Sequence, residues 1–155
     1  MNAIEVLKQM HVEAKSAFEK IEQAGPDQRG TLWSKLGPEL KMHEQVEERF
    51  VYDPVSRDVG SRDPMLADWH QRHHQEVGEA ERMIGEIGRL EPREDRWLPM
   101  VTQLRTTLEH HIQTEEGQIW PKIQQRCGAD KLELAGEQIQ STVRTAGGGR
   151  ERPAA

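Results

Sequence analysis

The sequence predicts an all-α fold, an up-down-up-down four-helix bundle with a short C-terminal helix and a flexible tail. Three observations predict it. Four long segments place apolar residues at alternating steps of three and four, the spacing of a bundle seam. These segments are rich in Glu, Gln, Lys, Arg, Leu and Met, which favour helix, and they lack β-branched runs. Breaking residues separate them: Gly25-Pro26-Asp27, a loop from Pro54 through Gly60 to Pro64, Glu91-Pro92, and Gly128. Each helix should span roughly 20–28 residues, or about 30–40 Å.

The first helix carries its seam on Ile4, Leu7, His11, Ala14, Phe18 and Ile21. The second uses Trp33, Leu36, Leu40, His43, Glu47 and Phe50. The third uses Leu66, His70, His73, Val77, Ala80, Ile84 and Ile87. The fourth uses Trp97, Val101, Leu104, Leu108, His111 and Glu115. Histidine interrupts every seam, and glutamate interrupts two. The register selects His111 over His110, Glu115 over Glu116 and Glu47 over Glu48. On the third helix it selects His70 and His73, while His74 pairs with His70 at i, i+4 and stays a candidate. After Gly128 an amphipathic stretch from Leu132 to Val143 predicts a short packed helix. The expected division is a bundle over 1–126, a helical extension over 127–145 and a flexible tail over 146–155, which contains Gly147-Gly148-Gly149.

A length of 155 residues suits one domain. Hydrophobic residues make up 34% and charged residues 31%, so polar groups are expected at some core positions. The net charge of −6 argues against a sequence-independent nucleic-acid binder. No apolar run approaches the ~20 residues of a membrane span. The N-terminal stretch has acids early and no uninterrupted apolar core, unlike a signal peptide. One cysteine, Cys127, cannot form an intrachain disulfide, and a cytoplasmic setting is expected.

The second and fourth helices repeat a motif. His43-Glu44-Gln45-Val46-Glu47-Glu48 and His111-Ile112-Gln113-Thr114-Glu115-Glu116 both read H-x-x-x-E-E. Each has an aromatic nine residues after its histidine, Tyr52 and Trp120, and then a proline, Pro54 and Pro121. A single histidine on an apolar stripe is usually a hydrogen-bonded core residue. Interruption of all four seams, by His and Glu alone, points to metal. A buried carboxylate costs several kcal/mol unless it is paired or ligates a cation, and no lysine or arginine shares the stripe near Glu47 or Glu115. An H-x-x-x-E pair sits one turn apart and can reach one centre. Nitrogen and oxygen donors without thiolate suit iron, manganese or zinc. Calcium prefers oxygen alone, and one tetrahedral zinc needs only four ligands. Six or seven candidates suit two octahedral ions. Glu44, Glu48, Glu109 and Glu116 read as a solvated face, with Glu44 kept as a possible extra bridge. Trp69 and Trp120 are placed to wall the pocket.

The pattern H…H-x-x-x-E…H…H-x-x-x-E over about residues 1–125 resembles the hemerythrin family, in particular its bacterial HHE cation-binding branch. The opening MNAIEVLKQMH and the EE-aromatic-Pro helix ends are also similar to that branch. The resemblance implies two irons joined by an oxo or hydroxo bridge and two carboxylates. Its ligands would be His11, His43, Glu47, one or two of His70, His73 and His74, then His111 and Glu115. Some relatives bring a tyrosine to the irons. Tyr52 is therefore a candidate metal neighbour or ligand, beside the plainer reading of an aromatic covering the bundle end. Animal oxygen carriers have H-x-x-x-H on the third helix and H-x-x-x-x-D on the fourth, so this chain departs from them. Ferritin-like di-iron proteins use E-x-x-H. Here the residues three before each histidine are Lys8, Leu40, Ala67, His70, Gln71, Thr107 and Leu108, and none is glutamate.

The resemblance implies a small-molecule ligand, namely O2, NO or peroxide. Catalase-like or other redox chemistry is favoured slightly over reversible O2 carriage. The alternative is an iron- or oxygen-sensing or iron-storage protein without catalysis. A monomer or weak homodimer is expected, without nucleic-acid or membrane partners.

Overall fold

The computed structural model describes residues 1–151, all helical apart from short turns. Helix α1 (Ala3–Gln23) opens on a capping box. The Asn2 side chain accepts from the Glu5 N–H at 3.1 Å, and the Glu5 carboxylate accepts from the Asn2 N–H at 2.9 Å. A two-residue turn leads to α2 (Pro26–Glu47), with Pro26 at the first position, where its missing N–H is not needed. Helix α2 runs unbroken through a π-turn (Glu48–Tyr52) into α3 (Asp53–Val59). Gly60, with φ of 54°, reverses the chain ahead of α4 (Pro64–Gly88). Helix α5 (Trp97–Thr114) likewise passes through a π-turn (Glu115–Ile119) into α6 (Trp120–Arg126). Helix α7 (Ala129–Glu151) follows.

Helices α1, α2, α4 and α5 form the bundle, with α1 against α2 and α5, and α4 against the same two. Helix α7 lies along α1 and touches the first π-turn. The predicted seams are buried almost throughout. They form two apolar clusters. One, around Ile4, Leu7, Trp69, Trp120 and Ile139, includes the packed face of α7. The other, around Phe18, Leu36, Ile84, Trp97 and Leu104, fills the opposite end of the bundle. His11 lies between Leu7 and Phe18 on α1, and His111 between Leu108 on α5 and Ile119 in the second π-turn, so a polar layer separates the clusters. No helix among the described residues is long and apolar enough to cross a membrane.

Three sequence expectations change. The loop from Pro54 to Pro64 shrinks, because residues 53–59 stay helical. Both Pro54 and Pro121 follow a π-turn, whose i→i+5 pattern accommodates a position without an N–H. The first π-turn also rotates the seam, so Val51 and Tyr52 are buried while Phe50 is only partly so. The C-terminal helix is longer than expected and crosses Gly147 to end at Glu151. Once a helix has nucleated, each added residue gains a hydrogen bond, which offsets the weak propensity of glycine. The rest of the expected tail, 152–155, lies outside the described residues.

Candidate metal centre

Seven side chains converge in the polar layer. His11 comes from α1, Glu44 and Glu47 with His43 from α2, His73 from α4, and His111 with Glu115 from α5 and its π-turn; all seven are buried. They fall into two groups that share Glu47. His11, His43, Glu47 and Glu115 form one, and Glu44, Glu47, His73 and His111 the other; within each group one donor atom per residue lies within 4.8 Å of the others. The i, i+4 spacing sets His43 Nε2 at 2.7 Å from Glu47 Oε2, and His111 Nε2 at 3.1 Å from Glu115 Oε1. His73 Nε2 meets the other Glu47 oxygen at 2.8 Å and Glu44 Oε2 at 3.2 Å. His11 Nε2 faces His43 Nε2 at 3.1 Å and Glu115 Oε1 at 3.5 Å.

Proximity here does not mean satisfaction. Glu44 Oε2, Glu47 Oε2, Glu115 Oε1 and His111 Nε2 are buried with no hydrogen-bond partner. Buried polar atoms are rarely orphaned. Lone pairs of carboxylates and imidazoles aimed at shared points are what cations would satisfy, so the donor set fits bound metal.

Two of the outer ring nitrogens have anchors. His11 Nδ1 pairs with Glu116 at 3.2 Å and His111 Nδ1 with Glu76 at 2.6 Å. Such partners fix the ring orientation and leave Nε2 facing inward. His73 Nδ1 has no such bond, with Glu48 Oε1 3.9 Å away. His11 stacks on Trp120 with centroids 4.9 Å apart, and Trp69 lies 5.3 Å from the His111 ring. Both tryptophans thus wall the centre.

Tyr52 reaches the centre rather than only covering the bundle end. Its hydroxyl donates to Glu115 Oε2 and accepts from Trp120 Nε1 at 2.8 Å. Five α-helical steps from Glu47 would turn it about 140° away from the metal face. The wider π-turn brings it nearly full circle. The two aromatics of the repeated motif therefore meet, each placed by its own π-turn.

Without a cation the electrostatics are strained. Burial raises the Glu115 carboxyl well above its usual range, and the charge of Glu47 adds to this. Burial opposes ionisation of Glu47 too, but the proximity of Glu115 and His111 and the charge on His43 hold it well below that range. Burial with the neighbouring Glu47 charge thus disfavours a second buried carboxylate charge at Glu115. Burial and nearby His43 push His11 down to about 4. Burial also disfavours charge on His73, yet Glu44 and Glu47 raise it to about 10. Burial and Glu115 push the Tyr52 hydroxyl well up, so it keeps its proton.

Of the three α4 imidazoles, only His73 enters the centre. Seam spacing admitted His70, and its i, i+4 pairing kept His74 as a candidate; the structure corrects both. His70 sits one turn from His73 but about 60° around the helix, and it pairs with Asp53 at 2.8 Å. His74 is 79% exposed and pairs with Glu48 at 3.1 Å. Glu44 moves the other way, from expected solvated face to 5% exposed within the centre. Position +1 after His43 lies about 100° from it, so only the approach of α4 makes it inward. Glu76 was not singled out by the sequence at all; its position three residues after His73 was the available signal. Glu109 is bound to Arg105 on the surface, as a solvated face implies.

A cavity of about 500 Å³ runs from the surface to His11 and His43 between α1, α2, α5 and α7. Ala14, Phe18, Leu36, Leu40, Leu108 and Ile112 line its apolar walls.

Similarity to known proteins agrees with this geometry. The family described as the hemerythrin HHE cation-binding domain matches residues 2–123. A crystal structure of a hemerythrin HHE cation-binding domain-containing protein from Mycobacterium kansasii superposes with a TM-score of 0.74. The two share 25% identity, over 96% of this chain and 89% of that one. Among curated proteins none matches.

Proposed function

The chain belongs to the hemerythrin HHE cation-binding domain family, and from that premise we propose that its centre holds two iron ions and handles O2, NO or peroxide, with catalase-like peroxide chemistry favoured over reversible O2 carriage. The observation that carries this reading is the shared carboxylate. Glu47 offers one oxygen to the His11, His43 and Glu115 side and the other to the Glu44, His73 and His111 side. One ion would leave one of these groups unsatisfied; two would satisfy both. When bound, iron supplies Lewis acidity and a reversible change of oxidation state.

The chain's own groups do the rest. Glu116 and Glu76 hold the His11 and His111 rings. The Tyr52 hydroxyl keeps a proton against Glu115 and orients that carboxylate. The cavity offers small uncharged molecules such as O2, NO and hydrogen peroxide a path past apolar walls to His11 and His43. Three carboxylates beside four imidazoles make a hard, anionic donor set. That favours the higher oxidation state and so turnover over reversible release.

Iron reconstitution followed by metal analysis and peroxide addition tests the proposal. About two irons per chain are expected, with O2 gas evolved at a rate that follows iron loading. A maximum of one iron per chain would overturn the di-iron centre. Two irons without O2 evolution would favour sensing or storage.

A further inference from the structure

We propose a second, outer metal site for a divalent ion of the zinc class, built from His70 and His74 on α4 and from Glu48 and Asp53 at the two ends of the first π-turn. It goes beyond the proposed function and does not depend on it. Glu48, Asp53 and His70 present donor atoms within 4.8 Å of one another. His70 Nε2 lies 2.8 Å from Asp53 Oδ1, and His74 Nδ1 lies 3.1 Å from Glu48 Oε1.

The π-turn creates this arrangement. The Asp53 N–H donates to the Glu48 carbonyl, so residues five apart stack along one face. In an α-helix they would diverge by about 140°. Opposite them, His70 and His74 are one turn apart on one face of α4. Two imidazoles and two carboxylates on two helices thus face each other across a surface cleft also lined by Gln45, Gln71 and Gln75. Among the described residues no lysine or arginine pairs with Glu48 or Asp53, whose ion-pair partners are all histidines. Arg49, in the same cleft, lies over the Phe50 ring at 4.9 Å.

The donor set selects the ion. Mixed imidazole and carboxylate ligands suit zinc and its neighbours, whereas calcium and magnesium prefer oxygen alone. A tetrahedral zinc with bonds of about 2.0–2.1 Å places neighbouring donors roughly 3.3–3.4 Å apart. The exposed His74 and the partly exposed Asp53 and His70 side chains are free to rotate toward that spacing. Glu48 also approaches His73 Nδ1 at 3.9 Å, so one carboxylate separates the outer ion from the inner centre.

The test is a zinc titration of the iron-loaded protein, with retained iron measured alongside bound zinc. The wild type should take up about one zinc per chain without losing iron. The His70→Gln and His74→Gln variants should lose that zinc, keep their iron and melt normally. Equal zinc uptake in wild type and variants, or no uptake by the wild type, would overturn the proposal. If the inner centre fails to hold iron, total zinc in the metal-free protein should still fall by one in each variant. The fate of the two sites is therefore read separately.

Discussion

At the scale of single residues, the close buried carboxyls of Glu47 and Glu115 set opposite expectations with and without metal. Glutamine at 115 is neutral at any pH and so avoids placing a second buried negative charge beside Glu47. Glu115→Gln should leave the metal-free protein neutral to more stable, on the order of 1 kcal/mol. The same variant should lose most of the stabilisation gained from iron, which is about 2.7 kcal/mol when the free ion is at 100 times its Kd. Thermal melts with and without chelator check both signs. Tyr52→Phe removes the donor to Glu115 and leaves the Trp120 indole N–H buried without its acceptor. A cost of about 1–3 kcal/mol is expected, read by denaturant unfolding. Cys127 is a poor candidate for redox chemistry. It caps α6, and burial and Asp58 push its thiol up, so the reactive thiolate is scarce at neutral pH.

At the scale of elements, two contacts hold the helices around the centre in place. Helix α7 passes so close to the start of α1 that a side chain at Gly136 would meet Asn2 C at 2.7 Å and Ala3 N at 2.9 Å. Helix propensity alone favours alanine there by about 1 kcal/mol. The backbone clash should reverse that sign, so Gly136→Ala should destabilise by about 1–3 kcal/mol and speed amide exchange in α7. Asp63 caps α4 by accepting from the Leu66 N–H at 3.3 Å, and it pairs with Lys122 at 3.4 Å and Arg126 at 3.2 Å of α6. Desolvation works against its charge, but these three partners hold its carboxyl below the usual range. The sign follows: its contribution is full above the unfolded aspartate value, near 4, and disappears as pH falls through the lower folded value. Wild type and Asp63→Asn should differ in melting temperature at neutral pH, and the difference should shrink as pH falls below about 4.

At the scale of the molecule, the bundle is two apolar clusters joined through a layer of buried charge. That layer contributes little without cations, since burial penalises every group in it. Metal removal should therefore lower the melting temperature and loosen the middle of the bundle first. Each tenfold rise in free ion above its Kd should add about 1.4 kcal/mol of stability for each ion bound. Calorimetry across a series of buffered metal concentrations measures that slope. A chain whose melt ignores metal would contradict a bound cation in the layer.

Periodicity carried most of the architecture. The steps of three and four fixed four amphipathic helices, and histidine on every seam located the level of the centre. His11, His43, Glu47, His111 and Glu115 were legible because each falls on its helix's own apolar stripe, a local property. What the stripe could not show depends on neighbours far along the chain or on a departure from the α-helical turn. His73 enters while His70 and His74 do not because α4 rotates one imidazole toward α2. Glu44 is buried because α4 and α5 close over it, and Glu116 anchors His11 across 105 positions of sequence. Tyr52 and Asp53 owe their places to a π-turn, which a 3.6-residue period does not register. The sequence thus set the helices and the identity of the chemistry, and packing chose which donors share it, because local periodicity specifies a face but not what that face meets.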